Sequence, residues 1–183
     1  MTWQLDSSHS QIQFTVRHLM ISKVRGFFDE FSMDLDYDED HPENSSVVVT
    51  IDTSSANTRD ETRDAHLRAA DFFDVENYPT ATFKSTRVEK TGKNKGKIYG
   101  DLTIRDITKE IVVDAEYLGM ATDPWGGQHA HFNGSTEIDR RDWGLEWNQG
   151  LDTGGVLAGW KVQLDFEVEL VKVVEQQPAE AAV

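Results

Sequence analysis

The chain predicts an all-β protein, an extended antiparallel β-barrel of about eight strands with one covering α-helix. Three observations predict it. Over most of the 183 residues apolar and polar side chains alternate with period two, the pattern of strands that bury one face. Turn-prone stretches such as HPENSS, KTGKNKG and TDPWGGQ separate these runs, as hairpins require. One segment alone, Thr58 to Asp71, shifts its apolar spacing toward the helical period.

Taken in order, Ile12, Phe14 and Val16 alternate with Gln11, Gln13, Thr15 and Arg17, and His18 continues the inward row. Met33, Leu35 and Tyr37 then alternate with Asp34, Asp36 and Asp38. Val47, Val49 and Ile51 follow, then Ala81 and Phe83, then Leu102 and Ile104 against Asp101, Thr103 and Arg105. In the last strand Val162, Leu164, Phe166, Val168 and Leu170 face in, while Lys161, Gln163, Asp165, Glu167 and Glu169 face out. The helix places His66, Ala69, Ala70 and Phe73 on one face. Thr58 and Glu61 read as its capping box, and Asp60, Arg63, Asp64 and Arg68 as a solvated outer face. Tyr78-Pro79 returns the chain to extended backbone. Residues 1–173 thus read as one domain and residues 174–183 as a disordered tail.

Acidic residues outnumber basic ones 33 to 18, a net charge of −15. Nucleic acid and anionic membrane surfaces are repelled by such a balance unless a compact basic patch overrides it. A mean hydropathy of −0.55 accompanies a sequence with no transmembrane run. With no Cys, disulfides, thiolate metal sites and cysteine nucleophiles are excluded. The opening MTWQLDSSHS has neither a basic nor an apolar leader region, so the expected location is cytoplasmic; it becomes periplasmic or secreted if a leader has been removed. GxGxxG, Walker A, HExxH and GxSxG motifs are absent, which leaves dinucleotide, nucleotide, zincin and serine-hydrolase chemistry without support.

His129-Ala130-His131 has metal-ligand spacing, since residues two apart share a strand face. With Glu137 it resembles the first cupin motif; the competing reading leaves both histidines on the solvent side, with Ala130 and Phe132 inward. His18 and His66 point inward, as core histidines or as polar contacts for a ligand. Arg140, Arg141 and Asp142 read as a charged fork that pins a loop beside Trp143, and Trp147 and Trp160 as core or pocket-mouth aromatics. A barrel of about eight strands is filled by its own side chains or encloses one small ligand.

Trp3-x-x-Asp6-x-x-His9-Ser10, Ile12-x-Phe14-x-Val16-x-His18-Leu19 and Val24-x-Gly26-x-Phe28 follow one another near the N-terminus. Arg63-Asp64-x-His66-Leu67, Asp71-Phe72-Phe73-Asp74, Tyr78-Pro79, Phe83-x-Ser85 and Gly100-x-Leu102-Thr103-Ile104-Arg105-x-x-Thr108-Lys109 come next, and Ile138-x-Arg140-x-Asp142-Trp143-Gly144 completes the series. In this order the motifs resemble the YceI-like family of lipid-binding barrels over Trp3 to about Leu170. The resemblance implies a lipocalin-like barrel whose tunnel holds a long-chain amphiphile, a polyisoprenoid, isoprenoid quinone or fatty-acid derivative, for transport, storage or sensing. It implies binding and no enzyme activity, and a tendency to form homodimers; no cofactor and no metal are expected. Inward parity on the strands, with the helix, nominates Phe14, Val16, Phe28, Val49, Phe72, Phe83, Leu102, Ile104, Val113, Phe132, Trp143, Leu164 and Phe166 as lining, and His18, Arg140 and Asp142 are the candidates for polar contact. The competing readings are a metal-dependent cupin-like or isoprenoid-modifying enzyme and a filled-core stress or interaction protein.

Overall fold

In a computed structural model that describes residues 2–173, the chain forms a single curled antiparallel sheet. The tail expected at 174–183 lies outside the described residues. The strands are β1 (Thr2–Leu5), β2 (Gln11–His18), β3 (Ser22–Phe28), β4 (Phe31–Asp36), β5 (Ser46–Asp52) and β6 (Ala56–Asn57). After the one α-helix, α1 (Glu61–Arg68), come β7 (Thr80–Lys90), β8 (Lys95–Ile104), β9 (Ile107–Thr122), β10 (Gln128–Asp139) and β11 (Ala158–Val173). Hydrogen-bonded neighbours follow the order β4-β5-β7-β8-β9-β10-β11-β2-β3-β6, with β1 also on β11.

Eleven segments replace the expected eight strands because corners break three of them. β1 and β2 both pair with β11, as Leu5↔Leu170 and Gln11↔Glu167, and a short helical turn at Ser7–His9 separates them. β3 leads into β4 through Asp29-Glu30, and β5 into β6 through the turn Thr53–Ser55. The Phe31↔Ile51 register of β4 and β5 carries on as Phe28↔Ala56 of β3 and β6. Asp52 N–H to the Glu30 carbonyl (3.0 Å) and Asp29 N–H to the Ser55 carbonyl (3.2 Å) bridge the corner. The ladder is therefore bridged at that corner, while β4 and β1 each keep one edge without a ladder. Farther along, β1 lies beside β4 without a ladder.

The inward rows pack as the alternation predicts, with Ile12 and Leu170 each 2% exposed. The helix differs from its expected form. Asp60 is the cap, its carboxylate accepting from Arg63 N–H (2.9 Å), and the helix ends at Arg68, which leaves Ala69 and Ala70 exposed. Thr58 is pulled inside instead: its N–H and hydroxyl both donate to Asp64 (2.8 and 2.5 Å). Asp64 is consequently buried and does not belong to a solvated face. Leu67 and Phe73 fasten this segment to the barrel core.

α1, the β2–β3 turn and the segment between β10 and β11 gather at one end of the barrel. The β7–β8 and β9–β10 turns and the β4–β5 connection gather at the other. Among the described residues no helix is long and apolar enough to cross a membrane.

Candidate functional site

The inward faces do not meet in a solid core. They enclose a cavity of about 1190 Å³ that reaches from α1 to the β7–β8 turn, larger than the roughly 300–1,000 Å³ of ordinary small-molecule pockets. Its wall is mostly apolar because period-two strands point one side-chain type inward. Phe14, Val16 and His18 of β2, Phe28 of β3, Val49 of β5 and Phe83 of β7 all line it. So do Leu102 and Ile104 of β8, Val113 of β9, Phe132 of β10, Leu164 and Phe166 of β11, and Phe72 beyond the helix. Tyr37, Tyr117 and Ile98 extend the wall toward the hairpin end. Gly100 makes room for it, since the Phe83 ring lies where a Cβ would stand.

Arg140 also reaches the cavity, but its donors are engaged by backbone. They go to the carbonyls of Leu145 (2.6 Å), Trp147 (2.9 Å), Gly159 (2.9 Å) and Ala158 (3.2 Å), and Trp160 lies under the guanidinium. Burial pushes the Arg140 pKa down. The side chain pins the segment between β10 and β11, the structural half of the sequence reading. The fork itself is differently composed: Arg141 pairs with Asp139 at 2.6 Å and, by its hydrogen bonds, holds that carboxyl at about 2.

Asp142 and Trp143 stand apart from the cavity lining, which corrects the polar contact expected of Asp142 and the lining position that parity gave Trp143. Asp142 is exposed, whereas Trp143 is 2% exposed and donates from Nε1 to the Leu102 carbonyl at 2.9 Å. The physical reason is the short helical turn Arg140–Trp143, where strand parity ceases to apply.

His66 sits at the helix end of the cavity, edge-on to Trp147 at 4.5 Å, with Nε2 2.9 Å from Asp71 Oδ2. Trp147 thus joins the wall, while Trp160 backs Arg140. His129 and His131 point out of the barrel. His129 lies between Glu169 Oε1 (2.6 Å) and Asp123 Oδ2 (3.0 Å), which together raise its pKa, and His131 Nδ1 is 3.6 Å from Glu169 Oε2. Glu137 is six residues beyond His131 along β10, about 20 Å away at strand rise. The cupin-type grouping with Glu137 is therefore not assembled, and Glu169 supplies the carboxylate. Although it faces outward as expected, Glu169 is only 9% exposed, because Asp6 to Ser10 cover it. Asp6, His9 and Glu169 bring possible metal-ligand atoms within 4.8 Å of one another. Those atoms already serve hydrogen bonds, Asp6 to Ser8 and His9, Glu169 to His129.

Sequence reasoning missed the polar rim at the hairpin end, where Lys90, Lys93 and Lys95 meet Glu39 and Asp40. Its signal was the lysine-rich KTGKNKG stretch, which composition alone marked only as a turn.

Residues 3–170 match the YceI-like domain family. A UPF0312 protein of Vibrio cholerae is 44% identical over 139 residues, covering 76% of this chain and 74% of that protein. Another from Ectopseudomonas mendocina is 39% identical over 142 residues, covering 78% and 74%. Among solved structures, a Campylobacter jejuni YCEI protein aligns at 34% identity and TM-score 0.75, over 95% of this chain and 99% of that one. A polyisoprenoid binding domain from Saccharophagus degradans, implicated in plant cell wall breakdown, shares the fold at 17% identity and TM-score 0.65, over 92% and 97% of the chains.

Proposed function

The chain belongs to the YceI-like domain family, and we propose that its barrel binds a long-chain amphiphile, an isoprenoid or fatty-acyl derivative, with the chain in the cavity. The observation that carries this reading is the apolar cavity of about 1190 Å³. A methylene fills about the volume of a water molecule, about 30 Å³, so the space takes on the order of 40 chain carbons. Each buried methylene contributes about 0.8 kcal/mol, which makes a long chain a good ligand with few specific contacts. The polyisoprenoid-binding description of the Saccharophagus neighbour supports the same class. The proposed role is binding: Arg140, which reaches the cavity, directs its donors to backbone carbonyls, and His66 Nε2 faces Asp71.

Native mass spectrometry of gently purified protein, followed by solvent extraction, tests the proposal. A near-stoichiometric isoprenoid, quinone or acyl lipid is the expected result. Phe14→Ala, Phe83→Ala and Phe166→Ala, each still folded, should retain less of it. Unchanged retention in all three, or no lipid even from native-source material, counts against the cavity as the binding site.

A further inference from the structure

The β2–β3 turn leaves three apolar side chains in water. Leu19, Met20 and Ile21 are 43%, 51% and 84% exposed, and none of them lines the cavity. The turn is held firmly all the same. Ile21 N–H donates to the His18 carbonyl (3.1 Å) and Leu19 N–H to the Leu157 carbonyl (2.9 Å). Leu19 and Met20 have φ of 52° and 63°, the left-handed region in which a tight hairpin favours Asn and Gly. Turn chemistry therefore does not account for apolar residues at this tip.

Both arms of the hairpin carry cations behind it. Arg17 stands opposite Lys23, and Arg25, two residues on and opposite Thr15, shares their outward face. All three are exposed, and none forms an ion pair among the described residues. The exposed apolar residue of the β9–β10 turn is placed differently. Trp125 is 90% exposed, but from Glu110 to Asp139 the chain has no Lys or Arg.

An apolar tip with cations set back on both arms matches the layering of a phospholipid surface, in which the phosphates lie above the acyl chains. Its area argues against a second protein chain. Three partly exposed side chains offer roughly a few hundred Å², against about 800 Å² per partner in a stable protein interface. The tip also adjoins the cavity, since Arg17, His18 and Leu157 beside it line the wall. We propose that Leu19, Met20 and Ile21 dock this end of the barrel on a phospholipid bilayer, with Arg17, Lys23 and Arg25 donating to lipid phosphates. At a net charge of −15 the fitting surface is zwitterionic, which offers phosphates without a repelling net charge. The inference rests on the amphiphile-binding reading for its purpose, exchange of a water-insoluble chain between bilayer and cavity, and not for the docking itself.

The test is flotation of the purified protein with phosphatidylcholine vesicles. The wild type is set against a Leu19→Asn, Met20→Gly, Ile21→Ser variant, whose residues suit the turn and whose fold is checked by circular dichroism. The wild type should float with the vesicles, and the variant should bind on the order of tenfold more weakly or worse. Lipid retention by native mass spectrometry should be the same in both. Because the chain has no Cys, Ile21→Cys and Trp125→Cys each accept a single environment-sensitive fluorophore. Vesicles should shift the emission to the blue at position 21 and leave it unchanged at position 125. A wild type that does not float, or a tip variant that floats equally well, overturns the docking and leaves the amphiphile reading standing. A blue shift at position 125 alone puts the contact at the opposite end and overturns it too. So does a tip-dependent dimer in sedimentation without vesicle binding, because a second copy would then be the occupant. A wild type that docks through the tip yet retains no lipid supports the docking and overturns the amphiphile reading alone.

Discussion

Asp64 joins the helix to the barrel through two donors of Thr58, and Arg63 closes the arrangement by donating to the Thr58 hydroxyl (2.8 Å) and carbonyl (2.9 Å). Both Thr58 and Asp64 are buried, so removing the acceptor strands an amide that water cannot reach. Asp64→Ala should cost about 1–3 kcal/mol, and Asp64→Asn less because one acceptor oxygen remains. At about 2–4 °C per kcal/mol for a chain of this size, the loss is readable in a thermal scan; an unchanged Tm in the alanine variant would refute it. Gly100 makes the opposite case, a residue whose value is its missing side chain. An added Cβ would stand 2.5 Å from Phe83 Cζ and 2.6 Å from the Lys84 carbonyl oxygen, and the latter is backbone that cannot withdraw. Gly100→Ala should therefore destabilise by about 1–3 kcal/mol and press Phe83 into the cavity. Lipid retention in that variant should fall along with its Tm, and retention at the wild-type level would break the link.

Among the elements, the turn at Ser7–His9 and the outer face of β10 and β11 share one hydrogen-bonded belt whose charges set a pH window. His129, held by Asp123 and Glu169, and His9, held by Asp6, both have pKa values above the ordinary 6.5. Their contribution is complete below 6.5 and is lost as pH rises through the raised folded values. Asp6 runs the other way. Hydrogen bonds from Ser8 and His9 lower it from 3.8 to about 2, so its contribution holds above 3.8 and is lost as pH falls toward 2. The belt is therefore strongest between about pH 4 and 6.5. Tm measured at pH 6 and at pH 8.5 should fall less in a His129→Gln variant than in the wild type; equal falls would remove His129 from the account. This belt also marks where local pattern stops being informative. Alternation gave the strands and most of the lining because parity is a local property, true of Phe14 or Leu164 wherever the strand lies. The corners had a local signal that went unused. Asp6 and Asp52 each accept from a Ser amide two residues on, the Asx-turn chemistry that breaks a strand in two. Asp139 gives the same signal ahead of Trp143, accepting from the Arg141 amide two residues on, whereas the KTGKNKG stretch marks the lysines of the rim without saying which hairpin the curled sheet brings to the cavity mouth.

For the whole molecule the deciding quantity is the volume that the barrel leaves unfilled. At about 24 cal/mol per Å³, a dry void of about 1190 Å³ would cost about 29 kcal/mol, beyond the roughly 5–15 kcal/mol by which folded domains are stable. The cavity is therefore not a dry void, and water is a poor occupant against Phe14, Phe83 and Leu164, which offer it no hydrogen bonds. An amphiphile of the proposed class would remove the mismatch by covering that wall, and would bind the folded state alone because the unfolded chain has no cavity. Stability and occupancy are thereby linked. Ligand at about a hundred times its Kd adds about 2.7 kcal/mol, which corresponds to about 5–10 °C in Tm for a chain of this size. Stripping the purified protein with organic solvent or a hydrophobic resin should lower Tm by that amount, and adding back the extracted lipid should restore it. The same addition to a Phe83→Ala, Phe166→Ala variant should restore less. A stripped protein that melts at the original temperature, with lipid loss verified by mass, would mean that the barrel collapses around its own side chains and needs no ligand to be stable.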